Sequence, residues 1–183
     1  MDISDFVQEC IELKRNRMPN DGIRYMVIGE SPPISMAYFY KPTYIKYNSP
    51  RIPAQVFRAF FNKNEIEKKE YEKLLDKLQY EKRFYLDDLS EYPLNNYDSR
   101  MRAEIILNCQ KDFISRFKNF KLNENYQKVL VLPKETINEL QGVAHINKWN
   151  NFLNKIGLSK NKICKFSELE KYITINWMTK NLP

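Results

Sequence analysis

The chain has 183 residues, 43% hydrophobic and 29% charged, which is enough for one sizeable core and too apolar for a disordered chain. Thirty Lys and Arg against 23 Asp and Glu leave a net charge of +7, which suits a polyanion partner or, equally, a solvated positive surface. No apolar run reaches the length of a membrane span, and the N-terminal MDISDFVQEC is unlike a signal peptide, so a cytoplasmic monomer without membrane contact is expected.

Ile3, Phe6, Val7, Cys10 and Leu13 recur at helical spacing, predicting an amphipathic helix over 2–17. The turn Asn20-Asp21-Gly22 leads into a first strand at 24–28, which runs into Gly29-Glu30-Ser31-Pro32-Pro33. Prolines 42, 50 and 53 make 34–53 a long loop, rich in aromatics, and loops of that length in a compact domain usually carry function. Helices follow at 54–61 and 64–82, then a second strand, RFYLDDL, at 83–89. Ser99–Phe120 is the strongest helical pattern, with Asp98 or Ser99 as its cap.

KVLVLP at 128–133 reads as a third buried strand, with a short helix at 134–141 after it. Trp149, Phe152, Leu153 and Ile156 mark another helix, stopped near Gly157. KICKF at 162–166 is a short fourth strand, and Ser167 to Glu170 has capping-box spacing for a last helix. Strands alternating with helices predict one α/β domain over 1–183: a three-layer sandwich around a mostly parallel four-stranded sheet.

In such a sheet the C-terminal strand ends share one edge, so Glu30, the Asp87-Asp88 pair and the segment after KICKF are expected to converge on one ligand. A carboxylate there can act as a base on water or stabilise a developing cation; it can also be a cap or a turn residue. The loop AYFYKPTYIKYNSPR interleaves Tyr38, Phe39, Tyr40, Tyr44 and Tyr47 with Lys41, Lys46 and Arg51. Aromatic faces stack on bases while cations hold phosphates, so this composition suits single-stranded or flipped nucleotides, unless the tyrosines only cover the core. Three scattered cysteines without a CxxC pair, and the lone His145, indicate neither a disulfide framework nor a metal site. The absence of GxxxxGK[ST], GxGxxG and GxSxG motifs argues against P-loop, dinucleotide and elbow-type hydrolase chemistry.

The ordered set of GESPP, the aromatic loop, FYLDDLSEYP, RAEIILNCQKDFI and KVLVLP, covering roughly residues 2–141, resembles the uracil-DNA glycosylase superfamily. Its iron–sulfur branch, with a strand ending Gly-Glu-Ala-Pro-Gly, is the most similar. In that branch an Asn stands six residues before a Pro, as Asp87 stands before Pro93. The resemblance implies hydrolysis of the N-glycosidic bond of a damaged or modified base in DNA, with RNA as an alternative, the base being flipped into a strand-end pocket.

By the same resemblance, Glu30 faces sugar and water, and Asp87 stands where the family reads the base edge. Gly29, Ser31, Pro32 and Asp88 adjoin the base, Tyr40 or Tyr44 stacks on it, and Lys41, Lys46, Arg51 and Ser167 hold the backbone. Two departures stand out. Four cluster cysteines are not available, with Glu91 at a third ligand position, so no cofactor or metal is expected. The family's His-Pro-Ser is replaced by Phe166-Ser167-Glu168. An ionised Asp in place of Asn only accepts hydrogen bonds, so it favours a base edge with amino donors unless it is protonated. Two other readings remain open: a nucleic-acid-binding protein of the same fold without cleavage, and an unrelated α/β enzyme for a small nucleotide or phosphorylated substrate.

Overall fold

The computed structural model describes residues 2–33 and 38–178. Its centre is a four-stranded, all-parallel sheet: β1 (Ile23–Gly29), β2 (Phe84–Asp88), β3 (Leu122–Leu132) and β4 (Ile163–Lys165), in the order β2-β1-β3-β4. Seven α-helices occur among the described residues: α1 (Ile3–Asn16), α2 (Ile52–Phe61), α3 (Lys68–Tyr80), α4 (Ser99–Lys118), α5 (Lys134–Gln141), α6 (Ile146–Lys155) and α7 (Leu169–Ile173). α7 continues into a π-helical turn, Thr174–Met178. None of these helices is long and apolar enough to cross a membrane.

The helices cover both sheet faces, which is why the strands are apolar throughout rather than alternating. On one face Tyr25 of β1 packs against Phe60 of α2 and Trp177. On the other, Tyr85 of β2 meets Phe120 just beyond α4, and Phe113 of α4 packs on Phe152 of α6. Asp98 caps α4 as expected, its Oδ1 accepting from the Met101 N–H at 2.9 Å.

β3 starts six positions before the expected strand, at Leu122. Its polar first half shows no buried run, but Leu122 pairs with Ile23 across an irregularity in the β1–β3 register. The capping box expected at Ser167 lies two residues earlier: the Glu168 carboxylate accepts from the backbone N–H and the ammonium of Lys165.

β2 is an edge strand, and an aromatic segment closes it. The Tyr40 hydroxyl accepts from the Leu86 N–H at 2.6 Å and donates to the Leu86 carbonyl at 3.1 Å. Tyr71 of α3 donates to the Phe39 carbonyl at 2.6 Å, fixing that segment against the helix layer. Edge groups satisfied in this way are unavailable for pairing with another chain.

Candidate active site

The sheet's order changes direction at β1: the chain leaves β1 for β2 on one side and enters β3 on the other. Such a switch point opens a crevice at the C-terminal ends of the strands. There the structure holds a cleft of about 630 Å³, to which the segments following all four strands contribute. Glu30, Ser31 and Pro33 follow β1; Asp88 ends β2 and Asn95 follows it; Pro133 to Glu135 follow β3; Lys165 to Ser167 follow β4. Tyr38, Phe39 and the stretch Pro50 to Pro53 complete the wall.

Glu30 is the anchored carboxylate of this cleft. Thr136, in the first turn of α5, donates its hydroxyl to Glu30 Oε1 at 2.9 Å. Arg102, in the first turns of α4, sets its guanidinium 3.6 Å from Oε2 and is held by a 2.8 Å bond to the Tyr97 carbonyl. Burial raises the Glu30 pKa; the Thr136 bond and Arg102 oppose the rise without cancelling it.

Asp87 and Asp88 part company. Asp87 points away from the cleft and accepts from Lys14 of α1 at 2.6 Å and from Arg116 of α4 at 3.3 Å. Its place in the sequence matched the strand end, but side chains alternate across a sheet, and Asp87 falls on the face covered by α1 and α4. Asp88 falls on the cleft side. It is only 3% exposed, and its Oδ2 has no hydrogen-bond partner among the described residues. Burial pushes its carboxyl up to about 7, with Lys14 opposing and Asp87 adding to the rise.

Gly29 is required by this arrangement: a Cβ there would lie 2.3 Å from Asp88 Oδ1. Ser31 is half-buried at the wall, its Oγ accepting from the Leu94 N–H at 3.2 Å. With Leu89 N–H to Gly29 O and Ser90 N–H to Glu30 O, both 3.0 Å, this bond zips the β2 exit loop to the GESPP segment. Pro32, within that segment, is buried and is not part of the cleft lining.

The aromatic loop divides differently from the expectation. Tyr40 is committed to the β2 edge and outside the cleft. Tyr44 meets Glu65 through its hydroxyl, beside the bridge of Ile45 to Ile66, and is also outside. Lys41 is paired with Glu9 at 2.7 Å, and Lys46 is exposed away from the cleft. Tyr38 and Phe39 are the aromatics that reach the cleft, and Arg51 and Ser167 do stand on its rim. Burial drives the Tyr38 phenol far above its usual pKa, so it stays a neutral donor.

Gln55 of α2 joins two parts of the wall. Its Nε2 donates to the Pro50 carbonyl at 2.7 Å and to the Phe166 carbonyl at 2.8 Å, while its Oε1 accepts from the Glu170 N–H at 3.2 Å. Phe166 itself is partly exposed at the rim.

No protein-family model matches the chain, and no curated protein or solved structure is significantly similar to it. What the site can hold is set by its own groups.

Those groups do not fit an iron–sulfur cluster. A cubane needs four ligands, usually thiolates. The chain has three cysteines, and burial raises the thiol pKa of each, that of Cys10 and Cys164 to about 12. Among the described residues no group of three or more His, Cys, Asp or Glu is arranged to hold a metal ion.

Arg102, Thr136, Tyr38, Phe39, Asn95 and Phe166 were not singled out for the site by sequence, although the aromatic pair was noted within its loop. A usable signal existed for two of them. Arg102 and Thr136 sit in the first turns of helices that follow strands, and such turns lie on the ligand edge of a parallel sheet.

Proposed function

We propose that the protein is a nucleobase glycosylase, hydrolysing the C1′–N bond of a nucleotide flipped from DNA into the strand-end cleft. One observation carries the reading: Glu30 is a half-buried, doubly anchored carboxylate facing a nucleotide-sized cleft whose lining includes Arg51, Arg102, Lys134 and Lys165. Those cations suit the phosphates flanking a flipped base, and Tyr38 and Phe39 offer aromatic surface to the base itself.

In this reading the C1′–N bond breaks with its electron pair leaving on the base nitrogen. Glu30 stabilises the cation that develops on the sugar and takes a proton from the water whose oxygen bonds to C1′. The proton then passes to the departing base. Base flipping costs a few kcal/mol, which the stacking surface and the edge contacts have to offset.

A second reading is binding of the same nucleotide without cleavage. It is favoured by the segment after β4, where Phe166-Ser167-Glu168 offers no imidazole, and by the position of the chain's only histidine, His145, outside the cleft lining. Duplexes and single strands carrying uracil, hypoxanthine, alkylated and hypermodified bases separate the two. Abasic product that disappears in Glu30→Gln supports the glycosylase. Retarded DNA with no abasic product on any substrate supports the binder.

A further inference from the structure

The positive charge of this chain is concentrated rather than spread. Residues 142–167 hold five lysines and no Asp or Glu, and so carry five of the seven net positive charges. Helix α3 is the contrast: Lys68, Lys69, Lys73 and Lys77 are interleaved with Glu70, Glu72 and Asp76, the pattern of a solvated helix face. In the 142–167 segment Lys165 pairs with Glu168 at 3.1 Å, while Lys148, Lys155, Lys160 and Lys162 have no ion-pair partner among the described residues. Clustered like charges repel, so such a surface costs stability unless an anion covers it.

These lysines follow one another along α6 and the β4 edge. The exposed positions of α6 are Asn147, Lys148, Asn151, Asn154 and Lys155, all polar, opposite the buried Trp149, Phe152 and Leu153. Gly157, at φ 60°, turns the chain out of α6, with the Leu158 N–H donating to the Leu153 carbonyl at 2.9 Å. A 3₁₀ turn, Lys160–Lys162, then leads into β4, whose exit brings Lys165 and Phe166 onto the cleft rim. Lys162 and Lys165 stand about 10 Å apart at the usual rise of a strand. The surface is firmly supported: the buried Lys128 ammonium donates to the Ile156 carbonyl and, at 2.6 Å, to the Tyr126 hydroxyl. That contact fixes the end of α6 and offsets the partial negative charge of its carbonyls, which would otherwise repel an anion.

We propose that α6 and the β4 edge form a second nucleic-acid surface, which holds the phosphate backbone of the strand running out of the cleft. This rests on the nucleic-acid reading of the cleft, with or without cleavage. Lysines and asparagine amides offer charge and hydrogen-bond donors to phosphate oxygens and carry no code for bases, so binding here is independent of sequence. An amphipathic membrane helix would set apolar residues beside its cations, and the centres of protein interfaces are poor in lysine.

The test is fluorescence-anisotropy titration of the full chain with a labelled oligothymidine and with a duplex of equal length, over a series of salt concentrations. Lys148→Gln/Lys155→Gln/Lys160→Gln/Lys162→Gln is compared with Lys68→Gln/Lys69→Gln/Lys73→Gln/Lys77→Gln, which removes the same charge from α3. These positions are exposed or half-buried, so both variants should keep the natural urea midpoint. The α6–β4 variant should bind at least about tenfold more weakly at low salt, and its slope of log K against log salt should be smaller by about 3. The α3 variant should change affinity by less than about threefold, because exposed charges beyond a Debye length are screened. The arm with the larger loss identifies the strand form that is held.

Equal losses in the two variants, an unchanged salt slope, or no binding of either nucleic acid at low salt would each overturn the surface. Polyglutamate or anionic vesicles bound as tightly as the oligonucleotides would overturn it too, since each points to another class of partner. If the α6–β4 variant loses affinity as stated and no base is released from any substrate, the glycosylase reading fails alone. If Glu30-dependent release is found and that variant binds as the natural chain does, the surface fails alone.

Discussion

Asp87 and Asp88 are adjacent, chemically identical and both buried, yet they occupy two different regions of the molecule. Asp87 faces α1 and α4 and is closed off by Lys14 and Arg116. Asp88 belongs to the cleft lining, and its Oδ2 has no hydrogen-bond partner among the described residues. A buried carboxylate between two cations organises structure: it ties α1 and α4 to the end of β2. A buried carboxyl oxygen without a partner among the described residues is costly to ionise, which is why burial raises the pKa of Asp88. Within two residues, one carboxyl is paired between helices and the other is left unpaired beside the cleft.

The largest effect is expected on the Asp87 side. Lys14→Met leaves Asp87 with the more distant Arg116 as its remaining cation beside the Asp88 N–H bond, and breaking a buried pair from one side costs about 3–5 kcal/mol. Urea unfolding at pH 7 measures it; a loss below 1 kcal/mol would place Asp87 among the incidental contacts.

On the Asp88 side the sign reverses. Its carboxyl sits near 7 in the fold against the ordinary 3.8, a rise of about three pH units. The native state therefore holds this proton better than the unfolded chain does. The penalty for ionising Asp88 is absent below about pH 4, grows between 4 and 7, and above 7 reaches a ceiling of about 4 kcal/mol. Asp88→Asn should thus be more stable than the natural chain at pH 8, by on the order of 2–4 kcal/mol, with the gain vanishing near pH 4. A variant less stable at pH 8 would show that Asp88 is satisfied after all.

Gly29→Ala tests the packing that holds Asp88 in place. The added methyl must displace Oδ1, and overpacking of this kind costs about 1–3 kcal/mol. The loss should shrink in an Asp88→Ala background.

The smallest effects belong to the rim. Arg51→Ala and Lys165→Ala should each weaken DNA binding and lower the slope of log K against log salt by about 1, without touching stability. Lys46→Ala, away from the cleft, should change neither.

Much of this fold is legible in the residues. Helical periodicity placed α1, α4 and α6 within a few residues, and buried apolar runs placed β1, β2 and the core of β3. Helix and strand alternation implied the parallel sheet, and the sheet implied that Glu30 would stand at its ligand edge. What could not be read was direction. Whether Asp87 or Asp88 turns to the cleft depends on the phase of β2 against its neighbours, which one residue of register inverts. The aromatic loop hid a similar division: Tyr38 and Phe39 turn to the cleft, while Tyr40 seals an edge strand that only the strand order reveals. Thr136 and Arg102 meet Glu30 from over 70 positions away in sequence, a proximity made by the crossovers and by no local pattern.

The central claim is that Glu30 serves hydrolysis of a base–sugar bond in this cleft, and abasic-site formation measures it directly. Purified protein and Glu30→Gln are incubated with the panel of modified DNAs, and strand scission after alkali reports the abasic product. At least one base should be released by the natural chain, with the rate falling about 100- to 10,000-fold in a folded Glu30→Gln. Release of no base from any substrate, or equal release by both proteins, would contradict it.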